Sequence, residues 1–152
     1  MSEPTVTATT IENELVQQGF SRPVAVESFT LPSDFSGIPD FGDNNIGEVM
    51  GRVSADISFL EYKVSLASID YENWNNHYEM EKKKILLTLP QERRDLMEAK
   101  VEVQLEAVIN VVSQKKAMFN LLKSLLDGKK RISDALSRDL SRRSLIHQMQ
   151  SR

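Results

Sequence analysis

Residues 46–78 read IGEVMGRVSADISFLEYKVSLASIDYENWNNHY, and the spacing of their apolar side chains decides the fold. Ile46, Met50, Val53, Ile57, Leu60, Val64, Ala67, Tyr71, Trp74 and Tyr78 follow one another at intervals of 4, 3, 4, 3, 4, 3, 4, 3 and 4. A seven-residue repeat held for this long places all ten side chains on one stripe of a single helix. Asp43 or Asn44 is positioned to cap its start, because short polar side chains accept bonds from the first free N–H groups of a helix. The helix is expected from about residue 46 to about residue 87. At ~1.5 Å per residue it would be roughly 60 Å long, too long to wrap around a compact core.

After this helix, Thr88-Leu89-Pro90-Gln91 reads as a turn and a restart. Pro90 suits a first helical turn, where its missing N–H costs nothing, and Thr88 with Gln91 has the spacing of a capping box. The turn is expected at about residues 88–90 and a second helix at about 91–127, with Met97, Val101, Leu105, Val108, Val112, Phe119, Leu122 and Leu126 as its stripe. Lys115 interrupts that stripe. Asp127-Gly128 reads as an end or a kink, followed by a basic C-terminal helix at about residues 130–146 that frays after Arg143.

Before the first stripe, residues 1–45 read as an acidic arm. Pro4, Pro23, Pro32 and Pro39 forbid a long helix there, although a short one from Ile11 to Gln18, stopped by Gly19, fits. Val24, Val26, Phe29, Leu31, Phe35, Ile38 and Phe41 make the later arm too apolar for a solvated tail, so it is expected to lie extended along a groove. The fold class is therefore all-α: a long antiparallel helical hairpin at residues 46–152 with an extended N-terminal arm. Phe59, Leu66, Ile69, Val103, Ile109, Val111, Leu121 and Leu125 lie off the main stripes and call for another partner. Assembly into a homo-oligomeric bundle or ring is the expectation, with Phe119, Leu122, Leu126, Ile132, Leu136 and Leu140 at the subunit interface.

Composition bounds the chemistry. The chain has 152 residues, enough for one domain, and no cysteine, so disulfides and thiolate metal sites are excluded. No stretch approaches the ~18 apolar residues of a membrane span, and no export signal is visible, so a cytoplasmic location is expected. The formal net charge of −3 conceals a polarity: residues 1–50 carry a net −7 and residues 81–152 a net +7. Such an asymmetry points to a surface that meets something anionic, either nucleic acid or the protein's own acidic end.

No catalytic constellation emerges. There are two histidines, His77 and His147, and no serine lies in a nucleophile elbow. Asp40-Phe41-Gly42 spells a kinase tripeptide without the other kinase motifs, and Asp40, Asp43 and Glu48 miss calcium-loop spacing. Neither enzyme activity, cofactor nor metal is expected. Two basic clusters are candidates for nucleic acid. Lys82, Lys83 and Lys84 follow Trp74, His77 and Tyr78, with Arg93 and Arg94 just past the turn. Bases stack on aromatic rings while cations neutralise phosphates, but Trp74 and Tyr78 fall on the heptad stripe and read as core, which leaves the cations to face a ligand. The second cluster is Lys129, Lys130 and Arg131, continued by Arg138, Arg142 and Arg143. It suits either nucleic acid or a solvated helix end whose cations complement the helix dipole.

The stretch KVEVQLEAVI at residues 100–109 with FNLLKSLLDGKKRISDALSRDLSRR at 119–143 resembles the second half of phage recombination-mediator proteins of the UvsY type. Residues 46–87, with aromatic and lysine-rich stretches before a turn, are similar to that family's first helix. The arm before Asn45 has no counterpart. The resemblance implies a phage replication and recombination accessory protein in the host cytoplasm. It would form a homo-oligomer, bind single-stranded DNA and load a RecA-type recombinase onto strands coated with single-stranded-DNA-binding protein. The competing expectation is a structural or adaptor protein of a phage particle, in which acidic arms pair with basic helices. A coiled-coil regulator that binds another protein's helix is a third.

Overall fold

The computed structural model describes residues 4, 6–25, 42–89 and 94–150. Among them all regular structure is helical: α1 spans Ala8–Gln17, α2 Asp43–Thr88 and α3 Arg94–Gln150. None of these helices is long and apolar enough to cross a membrane. Residues 26–41, most of the arm expected to lie extended, fall outside the described residues, as do Pro90 and Gln91 of the expected turn.

The chain divides into two compact units. The first comprises Met1–Ser21 and Val64–Leu122, the second Arg22–Lys63 and Lys123–Arg152, so α2 and α3 each contribute a part to both. In the second unit the buried core is Ile46, Val49, Val53 and Leu136, with Met50, Ile57, Ile132 and Ala135 packed against it. In the first, Val101, Leu105 and Val108 form the core beneath Trp74, Tyr78, Ile85, Leu86, Leu89, Ile109 and Val112. Within each unit, later α2 residues meet earlier α3 residues, so the paired segments are antiparallel. All ten stripe residues between Ile46 and Tyr78 are buried or partly buried. Each such side chain fully removed from water contributes about 1.5–3 kcal/mol, and the heptad spacing is what brings them onto one face.

Helix ends depart from the sequence reading in informative ways. α1 begins three residues earlier than expected, because Thr7 caps it, its Oγ accepting the Thr10 N–H at 3.2 Å. Its end is a Schellman turn: the Gly19 N–H donates to Val16 (3.0 Å) and the Phe20 N–H to Leu15 (3.1 Å), with Gly19 at φ +91°. α2 also begins early. The Asn45 and Ile46 N–H groups donate to the Gly42 carbonyl, so Asp43 and Asn44 lie inside the helix rather than capping it. At the other end Thr88 is the last residue of α2, and its hydroxyl donates to the Ile85 carbonyl at 2.8 Å. Thr88 therefore closes α2.

The expected break at Gly128 is corrected: α3 runs unbroken from Arg94 to Gln150, through Asp127-Gly128 and past Arg143. A helical glycine costs about 1 kcal/mol against alanine. Buried Leu126 on one side and the packed Ile132, Ala135 and Leu136 on the other hold the same helix face to its core and outweigh that cost.

Candidate nucleic-acid interface

The first basic cluster sits in the last turns of α2. Lys82 is partly buried, with its ammonium 5.8 Å from the centroid of the Tyr78 ring, one turn back on the helix. Lys83 is exposed, and Lys84 donates to Glu81 at 2.7 Å while its side chain stays 63 % exposed. The hydrogen bond from Lys84 is the main cause that holds the Glu81 carboxyl below its ordinary value, with the Lys84 charge adding to it. Arg93 lies outside the described residues, and Arg94 opens α3 with its side chain outside them. Lys83 and Lys84 thus face solvent beside a partly buried Lys82, and Lys84 has a local carboxylate partner.

The aromatic residues beside this run belong to the core. Trp74 and Tyr78 pack against Val101, Leu105 and Val108, and Trp74 also meets His77 edge to face at 5.8 Å between centroids. Tyr71 stacks on Phe119, with ring centroids 6.4 Å apart and planes 8° from parallel. Rings held this way are committed to helix packing, which leaves charge neutralisation as the chemistry that the cluster offers.

The second cluster is engaged within its own unit. Lys129 donates to Asp56 of α2 at 2.7 Å, and Lys130 lies 2.8 Å from Glu61. The hydrogen bond with Glu61 raises the Lys130 ammonium above its ordinary value, helped by the charges of Glu61 and Asp127 and opposed by slight desolvation. Arg131 is exposed. Further along α3, Arg142 and Arg143 both reach Asp139, at 3.1 and 2.7 Å.

The residues expected at a subunit interface differ in how far the chain's own packing covers them. Leu136 is 0 % exposed in the second core and Leu126 is buried. Phe119 is stacked on Tyr71, while Leu122 and Ile132 are half-buried. Of the six, Leu140 alone is exposed. The large apolar side chains that α3 leaves in solvent also include Leu96, Val103, Met118, Leu121 and Leu125.

A polar node not anticipated from sequence lies in the first unit. Asp70 of α2 accepts the Ala8 N–H, at the first turn of α1, through Oδ1 at 2.8 Å. Its Oδ2 accepts from Lys115 of α3, also at 2.8 Å. Beside it the Asn73 amide donates to the Val6 carbonyl at 2.9 Å. The interruption of the α3 stripe at Lys115 was the signal: a lysine at a core position requires a carboxylate on the facing helix, and Asp70 supplies it. Among the described residues no group of three His, Cys, Asp or Glu side chains could hold a metal ion. Comparisons with protein-family models, curated proteins and solved structures return no match.

Proposed function

We propose that this chain is a single-stranded-DNA-binding recombination and replication accessory protein without catalytic activity, which helps to load a RecA-type recombinase onto DNA coated with single-stranded-DNA-binding protein. The observation that supports the reading is the lysine run 82–84 at the end of α2, with Lys83 and Lys84 exposed, in a chain whose helical pattern over residues 46–143 resembles UvsY-type mediators. The protein would act in the cytoplasm of a phage-infected host as a homo-oligomer that holds a strand across several subunits. Its lysines would neutralise phosphates and release their counterions, with no nucleotide hydrolysis. Since Trp74 and Tyr78 are committed to the core, binding is electrostatic and tolerant of sequence.

The test is fluorescence anisotropy of a labelled single-stranded oligonucleotide, titrated at several salt concentrations beside a duplex control. The expected result is preference for the single strand and a steep loss of affinity with salt. Each phosphate contact contributes about −0.7 to the slope of log affinity against log salt, so Lys82, Lys83 and Lys84 all changed to Ala should flatten it by about 2. An unchanged slope in a variant that still folds would move the site elsewhere.

One observation favours a second reading, a structural or adaptor component of a phage particle. Lys115, Lys129 and Lys130 are each paired with a carboxylate of the same chain, which is how a helical scaffold uses its cations. Absence of DNA binding even at low salt would select that reading.

A further inference from the structure

The α3 helix carries a second stripe, distinct from the one that packs on α2. Val103, Ala107, Asn110, Gln114, Met118 and Leu121 succeed one another at 4, 3, 4, 4 and 3 residues, and all six are exposed. Val103 is 76 % exposed, Met118 54 % and Leu121 58 %. The stripe repeats every eleven residues: 103 to 114, 107 to 118 and 110 to 121. An eleven-residue repeat keeps a seam on one side of a nearly straight helix, whereas the inner stripe keeps a heptad spacing. One helix therefore carries two seams, and α2 covers one of them.

We infer that this outer seam pairs with the same seam of a second copy of the chain, antiparallel, about a two-fold axis close to residue 112. Two features of the seam fix the occupant and its orientation. The first is the pair of amides at its centre. With the axis near residue 112, Asn110 of each copy meets Gln114 of the other, so both amides find a hydrogen-bonding partner, while Val103 meets Leu121 and Ala107 meets Met118. A slip by one turn sets Asn110 against the Met118 thioether and leaves Gln114 to meet only its own copy, so the full set of amide pairs specifies the register. The second feature is charge. Between residues 95 and 106 α3 carries Asp95, Glu98, Glu102 and Glu106 against Lys100, whereas residues 107–122 carry Lys115 and Lys116 and no acid. Antiparallel pairing about residue 112 sets Glu102 and Glu106 opposite Leu122 and Met118 of the other copy, where no acid lies. Parallel pairing would set Glu102 and Glu106 against their own copies. The helix dipoles favour the same orientation. A two-fold contact of this kind closes on itself, so it specifies a dimer or a dimeric step within a larger assembly.

This inference rests on the self-assembly in the proposed function and not on DNA, and it is tested with no DNA present. Sedimentation of the full chain over a range of concentrations should show a reversible dimer or a multiple of it. Leu121→Glu should weaken that association at least tenfold with unchanged helicity, since Leu121 is exposed in the folded chain. Because the chain has no cysteine, Val103→Cys and Leu121→Cys each introduce a single thiol. With a short bis-maleimide, a mixture of the two variants should yield a crosslinked heterodimer, while neither variant alone crosslinks efficiently. Efficient crosslinking of each variant alone would establish parallel pairing and overturn the proposal. A chain that stays monomeric throughout, or whose assembly ignores Leu121→Glu, would overturn it as well. Failure of the lysine-run titration leaves this result standing, and the reverse also holds.

Discussion

Asp70 shows how one side chain can organise three helices. Its two carboxylate oxygens accept from the first turn of α1 and from Lys115 of α3, both at 2.8 Å, while the residue itself belongs to α2. A carboxylate at a helix N-terminus meets the positive end of the dipole and a free N–H together, and the ion pair with Lys115 is only partly exposed to solvent. Asp70→Ala removes both partners at once and is expected to lower stability by about 1–3 kcal/mol. Asp70→Asn keeps an oxygen for the Ala8 N–H and loses the charge, so its loss should be the smaller. Hydrogen exchange followed residue by residue should show protection at residues 8–17 falling in the alanine variant and largely retained in the asparagine variant. Equal exchange of α1 in both variants and in the parent chain would mean that Asp70 does not hold it.

At the scale of the helices, much of the architecture was legible because the heptad stripe is a direct image of burial. Every stripe position from Ile46 to Tyr78 is wholly or partly withdrawn from solvent, and the expected first helix of about residues 46–87 corresponds to α2 at Asp43–Thr88. What the sequence left hidden has physical causes. Capping depends on a few dihedral angles, so Asp43 and Asn44 looked like caps although the Gly42 carbonyl receives the first helical bonds. Glycine marks a helix end only when packing does not carry the helix onward, and around Gly128 it does. The site residues were half legible: Lys82–Lys84 could be found as a charge run, but the pairing of Lys129 with Asp56 and Lys130 with Glu61 needed the register between helices. Gly128 supplies the prediction at this scale. A Cβ built there meets nothing within 4 Å, and the residue is helical, so Gly128→Ala is expected to stabilise the chain by about 0.5–1 kcal/mol. Gly19→Ala should do the opposite, because φ +91° is strained for any residue with a Cβ. Urea denaturation of the two variants checks both signs, and a loss of stability at Gly128 would mean that α3 is broken there in solution.

Over the whole chain, the apolar side chains collect into two clusters, Ile46, Val49, Val53 and Leu136 in one unit and Val101, Leu105 and Val108 in the other. The polar contacts between α2 and α3 lie within the units, Lys129 with Asp56 and Lys130 with Glu61 in the second and Lys115 with Asp70 in the first. Exposed or half-exposed ion pairs are worth little, so the cohesion of each unit rests on its own cluster. Local opening follows such cooperative units, and the units here should respond separately. Leu136 is 0 % exposed, and Leu136→Ala is expected to cost about 2–5 kcal/mol through lost burial and a cavity. Hydrogen exchange should then rise at residues 43–63 and 123–150 and change less at 64–122. Leu105→Ala should give the mirror image, since Leu105 belongs to the other cluster. If both variants raise exchange uniformly along α2 and α3, the long helices transmit the loss from one cluster to the other, and the chain unfolds as one cooperative body in spite of its two cores.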